Sequence, residues 1–236
     1  MMESDHTNEK NRVIMRIVTE GTVDELRAVG GFFFVFGGFM REGEDFLKTY
    51  PVTAVLFLIN AVMFLLTEFA GRPGSTDTML RLGAAYTPYI RDGQYWRLIT
   101  SCFLHFGIGH LVNNMIALVA IGSILEKWLG HVRYFIFYMI AGLSGSILTY
   151  VAELLSVEQS VSAGASGAIF GLIGIYAVIL LKNRSRLGRD MVLRVVFGVT
   201  LAVLPGFYNK GISLTAHLGG LLAGIVMGLL TRSKCV

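Results

Sequence analysis

The sequence predicts an all-α, polytopic membrane protein built from six transmembrane helices. Two observations carry this. Of 236 residues, 54% are hydrophobic and only 15% charged, with a mean hydropathy of +0.63, too apolar for a soluble domain to hide from water. The apolar residues are also gathered into runs near the roughly 20 residues that a helix needs to cross about 30 Å of hydrocarbon.

In chain order, residues 1–50 form an N-terminal tail. Its first 28 residues are polar and mixed in charge, so no cleavable signal peptide is expected. The stretch Val29 to Met40 is apolar but only 12 residues long and interrupted by glycine, which suits a segment lying in the membrane interface. The expected spans are 51–70, 107–126, 134–152, 165–181, 191–205 and 214–231. The fifth is the shortest and contains Arg194. Together, 51–231 is read as a six-helix core, followed by a short tail at 232–236. The first connection, about 71–106, is long, semi-apolar and aromatic, and reads as a folded element lying in the interface.

The basic residues set an orientation. Lys10, Arg12, Arg16, Arg27, Arg41 and Lys48 precede the first span. Lys127 and Arg133 follow the second, Lys182, Arg184, Arg186 and Arg189 the fourth, and Arg232 and Lys234 the last. The opposite side carries Arg72, Arg81, Arg91, Arg97 and Lys210. This bias predicts both termini in the cytoplasm. It also accounts for the net charge of +4 and the pI near 9.1 by topology, so no nucleic-acid partner is implied. Cys102 and Cys235 then fall on opposite sides, so no disulfide within the chain is expected.

Orientation groups the reactive residues. Spans 2, 4 and 6 all enter from the outer side, and their first turns carry His110 with Asn114, Ser166, and His217. Ser166 lies in Gly164-Ala165-Ser166-Gly167. Small residues are common where membrane helices pack, but flanking glycines also let a substrate backbone approach and leave the serine N–H accessible. A serine hydroxyl becomes nucleophilic beside a base, and His217 is the candidate. Gly220, Gly224 and Gly228 on the sixth span, with Gly167 and Gly171 on the fourth, form stripes that allow close backbone approach. If the stripes pack together, hydroxyl and imidazole meet.

His110 and Asn114, four residues apart, share a helix face and can both donate to a developing oxyanion, alongside the Ser166 N–H. No carboxylate is placed to orient His217, which favours a Ser-His dyad; Phe170, one turn after Ser166, can support the imidazole instead. A zinc site of His105, His110 and His217 is disfavoured. His105 and His110 are separated by about 140° around a helix, and the HExxH pattern is missing. Neither metal nor cofactor is called for.

These residues resemble the rhomboid intramembrane serine proteases over most of 51–231. The resemblance rests on Trp96-Arg97, His105, His110-x-x-x-Asn114, Gly164-x-Ser166-Gly167, and Ala216-His217 followed by Gly220-x-x-x-Gly224. It implies a rhomboid-like six-helix bundle with Ser166 as nucleophile, His217 as general base, and His110, Asn114 and the Ser166 amide as oxyanion hole. It also implies single-span membrane proteins as substrates, cut in or near their membrane segment and entering laterally past the fifth helix. The location implied is a bacterial cell membrane, with the site open to the outer side. Gln94 stands where many relatives have Glu, and Phe170 where relatives often carry Tyr. The alternative is a catalytically silent rhomboid-like protein that binds or escorts membrane proteins; such relatives usually lack the serine or histidine kept here. A proton-coupled transporter using the histidines finds no internal repeat or embedded acid pair to support it.

Overall fold

In the computed structural model, residues 43–71, 74–157, 159–183 and 213–231 are described. They form helices α1 (Gly43–Thr49), α2 (Pro51–Ala70), α3 (Thr76–Leu82), α4 (Thr87–Arg91), α5 (Arg97–Thr100), α6 (Ile108–Leu129), α7 (His131–Leu154), α8 (Ser166–Lys182) and α9 (Leu214–Leu230). α2, α6 and α7 are long and apolar enough to cross a membrane; α8 and α9 are apolar helices of 17 residues. Five of the six expected spans therefore stand as helices. The fifth, at 191–205, lies outside the described residues, as do the 29–40 segment and Cys235.

Helix boundaries follow local chemistry. Pro51 starts α2, where its missing N–H costs nothing. Ser213 caps α9 by accepting from the Ala216 N–H. Gly130, at φ +78°, makes the sharp turn from α6 into α7. At that turn Glu126 is buried and accepts from the Val52 N–H (2.9 Å), the Thr53 N–H (2.8 Å) and the Thr53 hydroxyl (2.7 Å). His131 Nδ1 lies 2.7 Å from the same carboxylate. One carboxylate thus serves the first-turn N–H groups of α2, a favourable place for negative charge.

α8 is the central helix. Its residues from Gly167 to Tyr176 are all buried, against α9, α7 and α6. Small residues make this approach possible. A Cβ on Gly220 would overlap the Gly167 carbonyl oxygen, and one on Gly224 that of Gly171. Around this axis the outer helices expose apolar side chains, including Leu58, Val62, Leu65 and Phe69 on α2 and Leu222, Val226 and Leu229 on α9. An apolar outer face on these helices suits hydrocarbon rather than water.

The first connection is folded. Arg97 is 5% exposed and donates from Nη1 to the Leu80 and Ala84 carbonyls at 2.8 and 2.9 Å. Its Nε donates to the Gln94 side-chain oxygen at 2.7 Å, so an amide does at this position what a carboxylate can do. The guanidinium also lies over the Tyr89 and Trp96 rings, 4.8 and 4.6 Å from their centroids. Trp96 itself is half exposed.

Candidate active site

Ser166 is the first residue of α8, and the chain reaches it through a braced segment. Ala85 and Ser162 exchange backbone hydrogen bonds of 2.9 Å in each direction, and the Gly164 N–H donates to the Ser101 carbonyl at 2.9 Å. Glu153, in the last turn of α7, accepts from the Ser160 hydroxyl (2.7 Å) and the Thr87 hydroxyl (2.6 Å). The folded first connection and the end of α7 therefore fix the segment that delivers the serine. Standing at a helix start, the Ser166 N–H has no intrahelical acceptor and is available to another group.

His217 lies in the first turn of α9 and is 6% exposed. Its Nε2 stands 2.9 Å from Ser166 Oγ, a hydrogen-bonding distance. The Phe170 ring stacks on the imidazole, with centroids 4.1 Å apart and planes 9° apart. Gly167 and Gly220, at the contact of the two helices, make this meeting possible because neither has a side chain to hold the backbones apart.

His110 is in the first turn of α6. Its Nε2 is buried with no hydrogen-bond partner among the described residues, a costly state in a packed protein unless another group arrives there. Gly164 faces it with φ +144°, a conformation that disfavours side chains. A Cβ built there would lie 2.9 Å from His110 Nε2 and 3.6 Å from Ser166 Oγ. The glycine thus keeps open a space that both atoms border. Asn114 is buried, and its Nδ2 donates to the His110 carbonyl at 3.0 Å. That bond uses one amide hydrogen and ties the two residues together; the second hydrogen remains for another acceptor.

The geometry therefore brings Ser166, His217, Phe170, His110 and Gly164 into one constellation, with Asn114 one turn behind His110. Trp96 and Arg97 act at a remove, as part of the fold of the first connection. His105 is fully buried, its ring 5.0 Å from that of His110 at 70°. Sequence reading missed a hydroxyl-lined recess beside the serine. A cavity of about 20 Å³, room for one water, is bordered by Ser101, Ser146, Thr149, Ser162 and Ser213 as well as Ser166. These residues come from four separate segments, and no spacing in the chain announces them.

A family model described as the Rhomboid domain matches residues 92–234. The chain is 34% identical over 192 residues to YdcA of Bacillus subtilis (strain 168), provisionally named a rhomboid protease, covering 81% of the chain and 94% of that protein. It is 34% identical over 184 residues to the rhomboid protease GluP of the same organism, covering 78% of the chain but 35% of GluP. With RHOMBOID-like protein 5 of Arabidopsis thaliana it shares 36% identity over 160 residues, covering 65% of the chain and 50% of the plant protein.

Proposed function

The chain is an integral membrane protein of the rhomboid family, and on that footing we propose that it is an intramembrane serine endopeptidase working by a Ser166–His217 dyad. The observation that best supports this is the 2.9 Å approach of His217 Nε2 to Ser166 Oγ, made between the first turns of two apolar helices.

The chemistry follows from the positions. Ser166 Oγ attacks the carbonyl carbon of the scissile peptide while His217 Nε2 takes the hydroxyl proton. The carbonyl oxygen becomes an oxyanion, which the Ser166 N–H and the side chains of His110 and Asn114 stabilise. A single donor of this kind is worth roughly 3–4 kcal/mol in serine hydrolases. Collapse of this intermediate breaks the C–N bond, with the His217 proton passing to the amine, and leaves an acyl ester on Ser166. Water then attacks the ester; its proton goes to His217 and returns to Ser166 Oγ as the acid departs. No carboxylate is required in this scheme, because Phe170 holds the imidazole plane by stacking.

The substrates would be single-span membrane proteins, cut in or near their membrane segment where small or helix-breaking residues free the bond. The basic residues favour a cell-membrane protein with cytoplasmic termini, its site facing the outer side. Residues 51–231 would form the protease core, with 1–50 as a separate tail. The test is cleavage of a single-span substrate in proteoliposomes by the wild type, Ser166→Ala and His217→Ala. Loss of cleavage in both variants at unchanged expression supports the dyad. Cleavage at the wild-type rate by either variant rules it out, and an inert wild type points to the silent, membrane-protein-binding alternative.

A further inference from the structure

The glycine seam between α8 and α9 does not by itself choose how the two helices align lengthwise. Gly220 and Gly224 on α9 meet Gly167 and Gly171 on α8, and Gly228 continues the stripe one turn further. If α9 slid by one four-residue step, Gly224 would face Gly167 and Gly228 would face Gly171. The backbones would again touch through glycine. That slip is about 6 Å at 1.5 Å per residue, enough to carry His217 out of reach of Ser166. Some other contact must set the register on which the dyad depends.

Such a contact stands at the far ends of both helices. Lys182 is the last residue of α8, about 24 Å along the axis from Ser166 at 1.5 Å per residue. Its Nζ donates to the carbonyls of Gly228 (3.0 Å), Leu229 (2.6 Å) and Thr231 (2.9 Å) at the end of α9. An ammonium has three N–H donors, and here each has an acceptor. Gly228 and Leu229 lie in the last turn of α9, at the negative end of its dipole, and Thr231 is its extended C-cap; the Gly228 carbonyl also accepts from the Thr231 N–H at 3.2 Å. The bonds are directional, so a one-turn slip would break all of them, whereas the glycine contacts would re-form.

We propose that Lys182 is a positioning residue for the proposed reaction: it locks the register of α8 against α9 and so holds Ser166 and His217 level at the opposite end. A role as a topology signal alone does not account for the three bonds, and Arg184, Arg186 and Arg189 follow it to supply the positive charge. The proposal rests on the dyad reading above.

The experiment uses the full chain in detergent, with a labelled fluorophosphonate, which loses fluoride as Ser166 Oγ bonds to its phosphorus, measuring the rate of Ser166 phosphonylation and a membrane substrate measuring kcat and KM. Lys182→Met keeps the stem and loses the donors. It is expected to lower the phosphonylation rate and kcat by about ten- to a hundred-fold with KM unchanged, since a displacement of about 1 Å can already cost a factor of order 10². Lys182→Arg, which can donate to the same carbonyls, is expected to restore both. Thermal unfolding of each variant normalises the rates to folded protein. If Lys182→Met does not fold, Lys182→Gln, with a shorter neutral donor, takes its place and is expected to show a partial loss. Wild-type phosphonylation rates in a folded Lys182→Met or Lys182→Gln overturn the register lock and leave the dyad standing. Labelling that persists in Ser166→Ala overturns the dyad, and the lock with it.

Discussion

The imidazole of His217 lies flat against the ring of Phe170, 4.1 Å between centroids and 9° between planes. Both groups come from apolar helices, α9 and α8, and the stack fixes the plane in which Nε2 faces Ser166. A ring contact of this kind is worth roughly 0.5–1.5 kcal/mol beyond its buried area. Phe170→Ala should therefore lower kcat by about tenfold, the upper end of that range. Phe170→Tyr, which keeps the ring, should stay near the wild type. A substrate-cleavage assay at saturating substrate separates the two; an unaffected Phe170→Ala would remove the ring from the mechanism.

The α8–α9 seam predicts which glycines tolerate a methyl group. In Gly220→Ala and Gly224→Ala the new Cβ would overlap the Gly167 and Gly171 carbonyl oxygens, backbone atoms that cannot turn aside. Overpacking of this type costs about 1–3 kcal/mol, so both variants should unfold at lower temperature and be phosphonylated at Ser166 more slowly by the fluorophosphonate. Gly109 in α6 is the control. A Cβ there meets nothing within 4 Å among the described residues, and Gly109→Ala should match or exceed wild-type stability in thermal unfolding.

Glu126 predicts a stability effect at the end of the bundle away from the serine. Its carboxylate accepts from the Val52 and Thr53 N–H groups and the Thr53 hydroxyl, and His131 lies beside it. Glu126→Ala strands the buried Thr53 N–H and hydroxyl and the half-buried Val52 N–H, at a cost on the order of 3 kcal/mol. A lowered unfolding temperature, with the rate of Ser166 phosphonylation per folded molecule unchanged, is the expected pattern.

Much of the architecture was legible in the chain because bilayer thickness converts directly into run length. The runs at 51–70, 134–152 and 214–231 emerge as α2, α7 and α9 with ends shifted by at most three residues. The approach of Ser166 to His217 was legible for a related reason: glycine stripes at four-residue spacing mark where two backbones can touch, and these two residues head the stripes. What remained hidden depends on partners far apart in sequence. Glu153 joining Thr87 to Ser160 and the hydroxyl recess beside Ser166 obey no periodicity. Lys182 was readable only as one more positive charge in a loop. Its three carbonyl partners exist only once α9 has packed beside α8.

The central claim is that His217 activates Ser166 inside the bundle, and peptide mapping after fluorophosphonate treatment tests it most directly. A single phosphonyl adduct on Ser166 in the wild type, lost when His217 is changed to Asn in an equally folded protein, is the predicted result. An unmodified Ser166 in folded wild-type protein, or an adduct that forms at the same rate without His217, would contradict it.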